Sequence, residues 1–204
     1  MASASSTGKS PRVPKAEAIS KSIEAVISLS DSHPVSGISD QMIADTAGIN
    51  RALLYRYFGT RLELFDAVVD VLTDRWIKAG TQDRDRDLTE IKYENLGPLM
   101  EGATKLFAIA NYLLAADFQS DRMRKNFGQM VDTWADHVAK FGITPRMARS
   151  FAYKILALRL AQSGVGSLVD IPPEVVDDVY LLTITEMLNL KITETALGWD
   201  TVTD

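Results

Sequence analysis

Apolar residues in the first part of the chain recur at intervals of three and four residues, a spacing that places them on one face of an α-helix. The first such stripe follows Pro14 and consists of Ile19, Ile23, Val26 and Ile27. A second stripe consists of Phe65, Val68, Val69, Leu72 and Trp76. The pattern therefore predicts one helix that begins near Pro14 and another that ends near Lys78.

Capping and breaking residues between these stripes predict shorter helices. The segment 31–37, DSHPVSG, is typical of a loop because it contains both proline and glycine. Ser39 is suited to cap a helix over 40–47, since its hydroxyl can accept a bond from a free backbone N–H of the first turn. Gly48 then favours the end of that helix.

A second short helix is predicted over 51–57, with Asn50 as its cap and Gly59 at its end. The sequence Thr60-Arg-Leu-Glu63 has the form of a capping box, in which a threonine and a glutamate three residues later cap the same helix. The long helix with the second apolar stripe therefore begins at about Thr60.

The remainder of the chain also has helical patterning, and no segment shows convincing strand alternation. The charged run 81–87, TQDRDRD, has no apolar anchor and is typical of a linker. Further helices are predicted at about 88–97, 98–116, 119–141, 145–163 and 173–196. We therefore expect an all-α protein, preceded by a flexible arm over residues 1–13, which consist mostly of Ser, Ala, Gly, Lys and Pro.

The composition is that of a globular protein without cysteine chemistry. The chain has 204 residues, of which 46% are hydrophobic and 24% charged, and it contains no cysteine. Disulfides, thiolate metal sites and a cysteine nucleophile are thereby excluded. The N-terminal segment lacks the apolar stretch of a secretory signal, so we expect a cytoplasmic protein.

Charge is distributed unevenly along the chain. The net charge is −5, which argues against indiscriminate binding to polyanions. Residues 1–61 nevertheless carry seven Lys or Arg against five Asp or Glu, a net charge of +2, whereas residues 62–204 carry fifteen against twenty-two, a net charge of −7. Because local patches decide nucleic-acid binding, the N-terminal part is the better candidate for it.

Two short helices joined by a glycine turn have the format of a helix-turn-helix, whose second helix enters the major groove of DNA. The residues spaced to point inward are Ile43, Ala47, Ile49, Leu54 and Phe58. Those left on the outside are Arg51, Ala52, Tyr55 and Arg56. The alternative is an ordinary helical hairpin whose charged residues are merely solvated.

The outward residues have the chemistry that DNA requires. Arginine binds guanine O6 and N7 with two hydrogen bonds, and tyrosine donates to a phosphate oxygen. Ser39 and Thr60 stand at helix starts, where free backbone N–H groups favour phosphate, and Arg61 adds a cation beside Thr60.

The segment SDQMIADTAGINRALLYRYFGTRLELFDAVVD resembles the DNA-binding domain of the TetR family of bacterial transcriptional regulators. The matching residues are Ser39, Ile43-Ala44, Ala47-Gly48-Ile49-Asn50, Leu54-Tyr55-Arg56-Tyr57-Phe58, Thr60-Arg61 and Leu64. Four positions depart from the family pattern. Arg61 and Asn50 keep the chemistry of the usual Lys and Ser, Ala52 replaces a common Gly or Pro, and Leu53 replaces a Thr or Ser, either to touch a thymine methyl or to pack.

The resemblance implies a helix-turn-helix DNA-binding domain over 14–78 and a helical ligand-binding and dimerisation domain over 79–204. The implied DNA-binding residues are Ser39, Asn50, Arg51, Ala52, Leu53, Tyr55, Arg56, Tyr57, Thr60 and Arg61. It also implies a ligand-responsive regulator, commonly a repressor, that binds a palindromic operator as a homodimer and is released by a small, mostly apolar effector.

The last two long helices are the implied dimer interface, and their surplus of apolar residues is consistent with this. The candidate interface residues are Phe151, Ile155, Leu158, Gln162, Val176, Tyr180, Ile184 and Met187. The alternative is that both helices are central in a monomer.

Aromatic, methionine and isolated polar residues of the middle helices are the candidates for an effector site. They are Tyr93, Met100, Thr104, Phe107, Asn111, Phe127, Met130, Trp134 and His137. Asn111 lies in an apolar run and needs a polar partner, which is either a ligand, a neighbouring helix or a buried water. The aromatic residues are more typical of a helical core than of a ligand site.

An enzyme and a helical protein-interaction module are the alternatives to a regulator. The chain has two histidines, His33 and His137, and no nucleophile elbow, P-loop, metal-ligand spacing or glycine-rich cofactor turn. We therefore expect no enzymatic activity, no cofactor and no metal.

Overall fold

The fold is seen in a computed structural model, which describes residues 14–82, 97–140, 142–165, 179, 182–183, 185–186 and 189–199. Within these ranges only the backbone is described for 80–82, 97–101 and 165. The predicted arm over 1–13, the predicted helix over 88–97 and much of the predicted helix over 173–196 lie outside the described residues.

Every regular element in the described residues is helical, and no strand occurs among them. The α-helices are α1 Lys15–Leu29, α2 Asp40–Ala47, α3 Arg51–Phe58, α4 Arg61–Gln82, α5 Gly97–Ala115, α6 Asp121–Ala139, α7 Pro145–Val165 and α8 Leu190–Ala196. A short 3-10 turn, Val35–Gly37, precedes α2. The predicted all-α fold is confirmed, and most predicted helix ends agree to within a few residues.

The predicted helix over 173–196 differs from the structure at Asn189, where a turn separates α8 from the residues before it. The side-chain amide of Asn189 donates to the carbonyl of Thr185 at 2.7 Å. That carbonyl is the acceptor that the backbone N–H of Asn189 would use in a continuous α-helix, and this N–H donates instead to the carbonyl of Glu186 at 3.0 Å. The asparagine side chain thus competes with the helical backbone at this point.

The chain divides into two compact units, Met1–Leu64 and Phe65–Asp204. The division falls inside α4, which is one continuous helix. The functional boundary that the sequence predicts after residue 78 stays a prediction.

In the first unit α1 packs against both α2 and α3. The fully or nearly fully buried residues include Ala18, Val26, Ile38, Ile43 and Leu54. Three of the five residues predicted to point inward are therefore in the core, and the other two, Ile49 and Phe58, are half-buried. Helices as short as α2 and α3 are marginal alone, so this packing is what keeps them folded.

The predicted caps of these helices are present. The Ser39 hydroxyl accepts from the Met42 N–H at 3.2 Å, and the Asn50 side chain accepts from the Ala52 N–H at 2.8 Å. Thr60 and Glu63 form the reciprocal pair of a capping box, at 2.7 Å and 3.1 Å.

In the second unit the apolar stripe of α4 is buried, as predicted, from Phe65 to Trp76. The α5 and α6 helices both pack against α7. A compact cluster at one end of α7 consists of Val138, Ile143, Met147, Ala148, Phe151, Ile155 and Leu190.

A buried carboxylate connects α8 to the beginning of α7. Glu194 is 0% exposed, and its Oε1 accepts from the N–H of Thr144 at 2.6 Å and from the Thr144 hydroxyl. Its Oε2 pairs with Lys191 Nζ at 3.0 Å. Burial alone would raise the pKa of Glu194, but the bonds from Thr144 and Lys191 outweigh it and hold the pKa below its ordinary value.

We predict that Gly59→Ala lowers the free energy of unfolding by about 1–3 kcal/mol. Gly59 has a φ of +85°, and a Cβ atom there would lie 2.5 Å from Oε2 of Glu63, the capping carboxylate of α4. The matched control is Gly128→Ala inside α6, where a Cβ meets nothing within 4 Å. That change should be neutral or stabilising by up to about 1 kcal/mol, and an equal loss in both variants in denaturant unfolding would contradict the prediction.

We also predict that Glu194→Gln lowers the free energy of unfolding of the second unit by about 1–3 kcal/mol at neutral pH. Because the pKa of Glu194 is lowered on folding, its carboxylate stabilises the fold above the ordinary value of 4.5, and this contribution is lost as the pH falls through the folded pKa. The difference from the unsubstituted protein should therefore shrink below about pH 4.5. The control is Glu186→Gln, whose exposed pair with Lys154 should contribute less than about 1 kcal/mol.

Candidate nucleic-acid interface

The α2 and α3 helices are joined by the three residues Gly48, Ile49 and Asn50. Gly48 adopts a left-handed conformation with φ 64° and ψ 37°, which glycine reaches without steric strain. The N–H of Ile49 reaches back to the carbonyl of Ala44 at 3.0 Å and closes the end of α2. This is the turn of a helix-turn-helix, with α3 as its second helix.

The outer face of α3 has the composition predicted from the sequence. Arg51, Ala52, Tyr55 and Arg56 are all exposed, whereas Leu54 is 4% exposed and points into the core. Asn50 is exposed at the start of the helix, and Leu53 and Tyr57 are half-buried at the edges of the face. The structure thus brings two arginines and a tyrosine together on the exposed face of α3, the helix that a helix-turn-helix presents to base edges.

Cations lie against the aromatic rings of this helix. The guanidinium carbon of Arg51 is 5.9 Å from the ring centroid of Tyr55, within the range of a cation–π contact. Lys15 Nζ, at the start of α1, lies 5.9 Å from the ring centroid of Tyr57. Lys15 extends the basic surface to α1, and the sequence reasoning missed it because its partner is far along the chain.

A carboxylate lies among the predicted phosphate-binding groups. Asp40, the first residue of α2, accepts a hydrogen bond from the Tyr55 hydroxyl and pairs with Arg61 Nη1 at 2.8 Å. Arg61 Nη2 also donates to the carbonyl of Ile38, and more weakly at 3.4 Å to that of Val35. Arg61 therefore connects α2, the residues before it and the start of α4, in addition to any contact with DNA.

Asp40 is ionised at neutral pH. Its partial burial raises the pKa, but the hydrogen bonds from Tyr55 and Arg61, together with the positive charges of Arg61 and Arg51, hold the pKa below its usual range. No spacing along the chain indicates this role of Asp40, because Tyr55 and Arg61 lie 15 and 21 residues away from it.

The two residues predicted to offer helix starts to phosphate are engaged in capping. The Ser39 hydroxyl accepts from α2, and both the N–H and the hydroxyl of Thr60 bond to Glu63. Their contacts with phosphate stay a prediction.

The residues predicted to bind an effector lie in the second unit, and several of them pair with one another. The Phe107 and Phe127 rings are stacked with centroids 6.2 Å apart, and Trp134 packs edge-on to His137 at 6.3 Å. Met130 is buried at 3% exposure, whereas Thr104 is exposed. Tyr93 and the side chain of Met100 lie outside the described residues.

Asn111 has the partner that its position in an apolar run requires. Its Nδ2 donates to the carbonyl of Leu160 on α7 at 2.8 Å. The sequence left a ligand, a neighbouring helix or a buried water as the partner of Asn111, and the partner found is the neighbouring helix. The need for a polar partner therefore no longer argues for a ligand at Asn111.

The predicted dimer residues of α7 differ in their exposure. Phe151 and Ile155 are 3% and 9% exposed in the subunit's own core, since Met147, Val138 and Leu190 cover them. Their side chains pack within their own chain, and their assignment as interface residues stays a prediction. Leu158 and Gln162 are half-buried, and Val176, Tyr180, Ile184 and Met187 lie outside the described residues.

The described part of the chain contains neither a helix that could span a membrane nor a group that could hold a metal ion. No helix in it is long and apolar enough to cross a bilayer. The same residues contain no group of three or more His, Asp or Glu side chains placed to hold a metal ion.

Residues 28–68 match the sequence model of a family described as bacterial regulatory proteins, tetR family. The match covers the end of α1, the helix-turn-helix and the first residues of α4. No curated protein matches the sequence.

Three solved structures have a similar fold, and two of them carry the same family name. A tetR-family transcriptional regulator from Streptomyces coelicolor is 16% identical over 89% of this chain and 83% of its own, with a TM-score of 0.68. The TetR family repressor AlkX from Dietzia sp. strain DQ12-45-1b, implicated in biodegradation of n-alkanes, is 15% identical over 84% and 97%, with a TM-score of 0.54. The multidrug binding protein EbrR, complexed with imidazole, is 18% identical over 88% and 96%, with a TM-score of 0.52. At these identities the likeness shows the fold.

We predict that Arg51→Ala and Arg56→Ala each relax the base preference of DNA binding and cost about 1–3 kcal/mol on the preferred sequence, the range for an arginine bound to guanine by two hydrogen bonds. The measurement is a binding titration against the preferred duplex and against duplexes with single base changes. Arg149→Ala is the control. Arg149 is an exposed arginine of α7 that pairs with Asp132, and both residues belong to the second unit. An unchanged ranking of duplexes in both α3 variants would contradict the prediction.

Proposed function

We propose that this chain, which belongs to the tetR family of bacterial regulatory proteins, represses transcription as a homodimer bound to a palindromic operator. We further propose that a small, mostly apolar molecule bound in the second unit releases it. Membership of the family makes the chain a DNA-binding transcriptional regulator rather than an enzyme. We propose four further features beyond this: repression, a palindromic operator, a small-molecule effector and a cytoplasmic location beside chromosomal DNA.

The observation that supports DNA reading most directly is the exposed face of α3. Arg51, Tyr55 and Arg56 are exposed on the second helix of a helix-turn-helix. The arginines supply donors for guanine, and we propose that Tyr55 on the same face and Lys15 on α1 contact phosphate. We assign base contacts to Arg51, Ala52, Leu53 and Arg56, and backbone contacts to Ser39, Asn50, Tyr55, Tyr57, Thr60 and Arg61.

A dimer is supported by the exposed side of α7. Tyr153 is 55% exposed, and Ala157 and Ala161 follow it on the same face at intervals of four residues. Small residues at this spacing allow a second helix to approach closely, and Leu158 and Gln162 flank the same surface. A two-fold dimer would present two α3 helices to half-sites about one DNA turn apart, roughly 34–36 Å, which is why we propose a palindrome.

An effector site is proposed between α5 and α6. Phe107 and Phe127 stack across these helices, and Met130, Trp134 and His137 continue the same side of α6. A site of this composition suits a mostly apolar molecule with one or two polar groups. EbrR, whose fold is similar, is described as a multidrug binding protein, which agrees with such a site in this fold. Release then requires that the effector bind the form with low DNA affinity more tightly.

We predict a steep salt dependence of DNA binding. A dimer that makes about six to eight phosphate contacts should give a slope of about −5 to −7 when log K is plotted against log salt, since each contact contributes about −0.9. The measurement is fluorescence anisotropy of a labelled duplex titrated with the protein at several salt concentrations. A flat response would contradict DNA binding and would favour a helical module that contacts other proteins.

The effector is tested in the same assay. A library of apolar small molecules is added to the complex, and an effector should lower the anisotropy while raising the thermal stability of the free protein. Phe127→Ala is the matched variant, because it removes one ring of the Phe107–Phe127 pair that lines the proposed site. Both residues lie far along the chain from α3, so the change should leave the DNA-reading face intact. A compound that releases DNA equally from both proteins would contradict a site at this aromatic pair.

A further inference from the structure

Two groups assigned to the DNA backbone are bound to the protein's own carboxylate in the structure. The Tyr55 hydroxyl donates to Asp40 Oδ2, and Arg61 Nη1 pairs with Asp40 Oδ1 at 2.8 Å. Tyr55 lies on α3, Arg61 begins α4, and Asp40 is the first residue of α2. One carboxylate thus brings together donors from two other helices at the edge of the DNA-reading surface.

We propose that Asp40 competes with a DNA phosphate for Tyr55 and Arg61 and thereby limits the affinity of the protein for all DNA sequences alike. The proposal rests on the proposed DNA-binding function and deepens it, because it assigns a role in that site to a residue outside the matched positions of the motif. Asp40 would act as an internal acceptor that must give up its partners when the duplex binds.

The hydrogen-bonding capacity of Tyr55 supports competition rather than shared binding. A tyrosine hydroxyl has one proton to donate. In the structure that proton goes to Asp40, so a phosphate oxygen obtains it only when the bond to Asp40 breaks. Tyr55 is 43% exposed, which leaves it accessible to an incoming phosphate.

The charges in this region lead to the same conclusion. Asp40 and Arg61 side chains are 20% and 22% exposed, so their attraction is less screened than that of a pair in open solvent. A carboxylate and a phosphate carry like charges and accept the same kinds of hydrogen bond. Their mutual repulsion disfavours placing the two together beside one guanidinium. Asp40 also lies in the first turn of α2, where the helix dipole stabilises either anion.

The consequence for function is a lower affinity that does not depend on sequence. Phosphate contacts supply most non-specific binding to DNA, and base contacts supply discrimination. A carboxylate that withholds two phosphate-binding groups therefore weakens non-specific binding, while Arg51 and Arg56 are left to read bases.

The test is Asp40→Asn, which removes the charge and keeps an acceptor oxygen in the same place. The matched control is Asp45→Asn, which removes the same charge from the same helix. Asp45 is exposed near the end of α2, where it accepts from Gln41 Nε2 at 2.7 Å. The affinities of both variants are measured on a preferred duplex and on a random-sequence duplex over a range of salt, with circular dichroism and thermal melting as checks of folding.

We expect Asp40→Asn to raise the affinity for both duplexes by about two- to fivefold, which is the effect of losing one partly exposed ion pair. The salt slope should become steeper by about 0.9 for each cation released to phosphate. Asp45→Asn should change neither quantity appreciably. In a Tyr55→Phe background the gain from Asp40→Asn should be smaller, since one of the two withheld groups is already gone.

Three results would overturn the proposal. A loss of affinity in folded Asp40→Asn would make Asp40 a support that positions Tyr55 and Arg61 for phosphate. An equal gain of affinity in Asp45→Asn would show that the effect comes from the total charge of the protein and not from the bonds of Asp40. If neither Asp40→Asn nor Asp40→Ser folds, the carboxylate is a structural requirement and not a competitor. Failure of the proposed function is distinct from all three, because the unsubstituted protein would then not bind either duplex at low salt.

Discussion

The burial of a few apolar side chains against α1 is the constraint on which the DNA-reading surface depends. The α2 and α3 helices have eight residues each, a length at which an isolated helix is marginal in water. They are held because Ile43, Ala47 and Leu54 pack into the core of the first unit. Once Leu54 points inward, the periodicity of the helix directs Arg51, Tyr55 and Arg56 outward.

The polar contacts refine this arrangement without creating it. Caps at Asn50 and Thr60 fix where α3 and α4 begin, and the left-handed Gly48 sets the turn between α2 and α3. The Asp40–Arg61 pair connects the start of α2 to the start of α4. The first unit is thus a small apolar core with a charged surface in which one acidic side chain faces several cations. Its balance of charge, rather than that of the whole acidic chain, governs an approach to DNA.

Local features were predictable from the sequence, and contacts between distant residues were not. Ser39, Asn50 and the Thr60–Glu63 pair were identified as caps because a cap bonds within three residues of itself. The bonds of Asp40 to Tyr55 and Arg61 depend on how three helices pack, and no spacing along the chain indicates them. The packing of Phe151 and Ile155 against Val138 and Leu190 is of this kind too, because an apolar helix face does not reveal in the sequence which residues cover it.

The most direct test of the account is the selection of bound duplexes from a random library by the purified protein at low salt, followed by sequencing. We expect enrichment of a two-fold symmetric sequence whose half-sites lie about one helical turn apart. The same selection with Arg51→Ala and Arg56→Ala should lose the enriched bases. The protein must first be freed of bound small molecules and shown to be folded. If it then enriches no sequence, the claim that the exposed face of α3 reads DNA is contradicted.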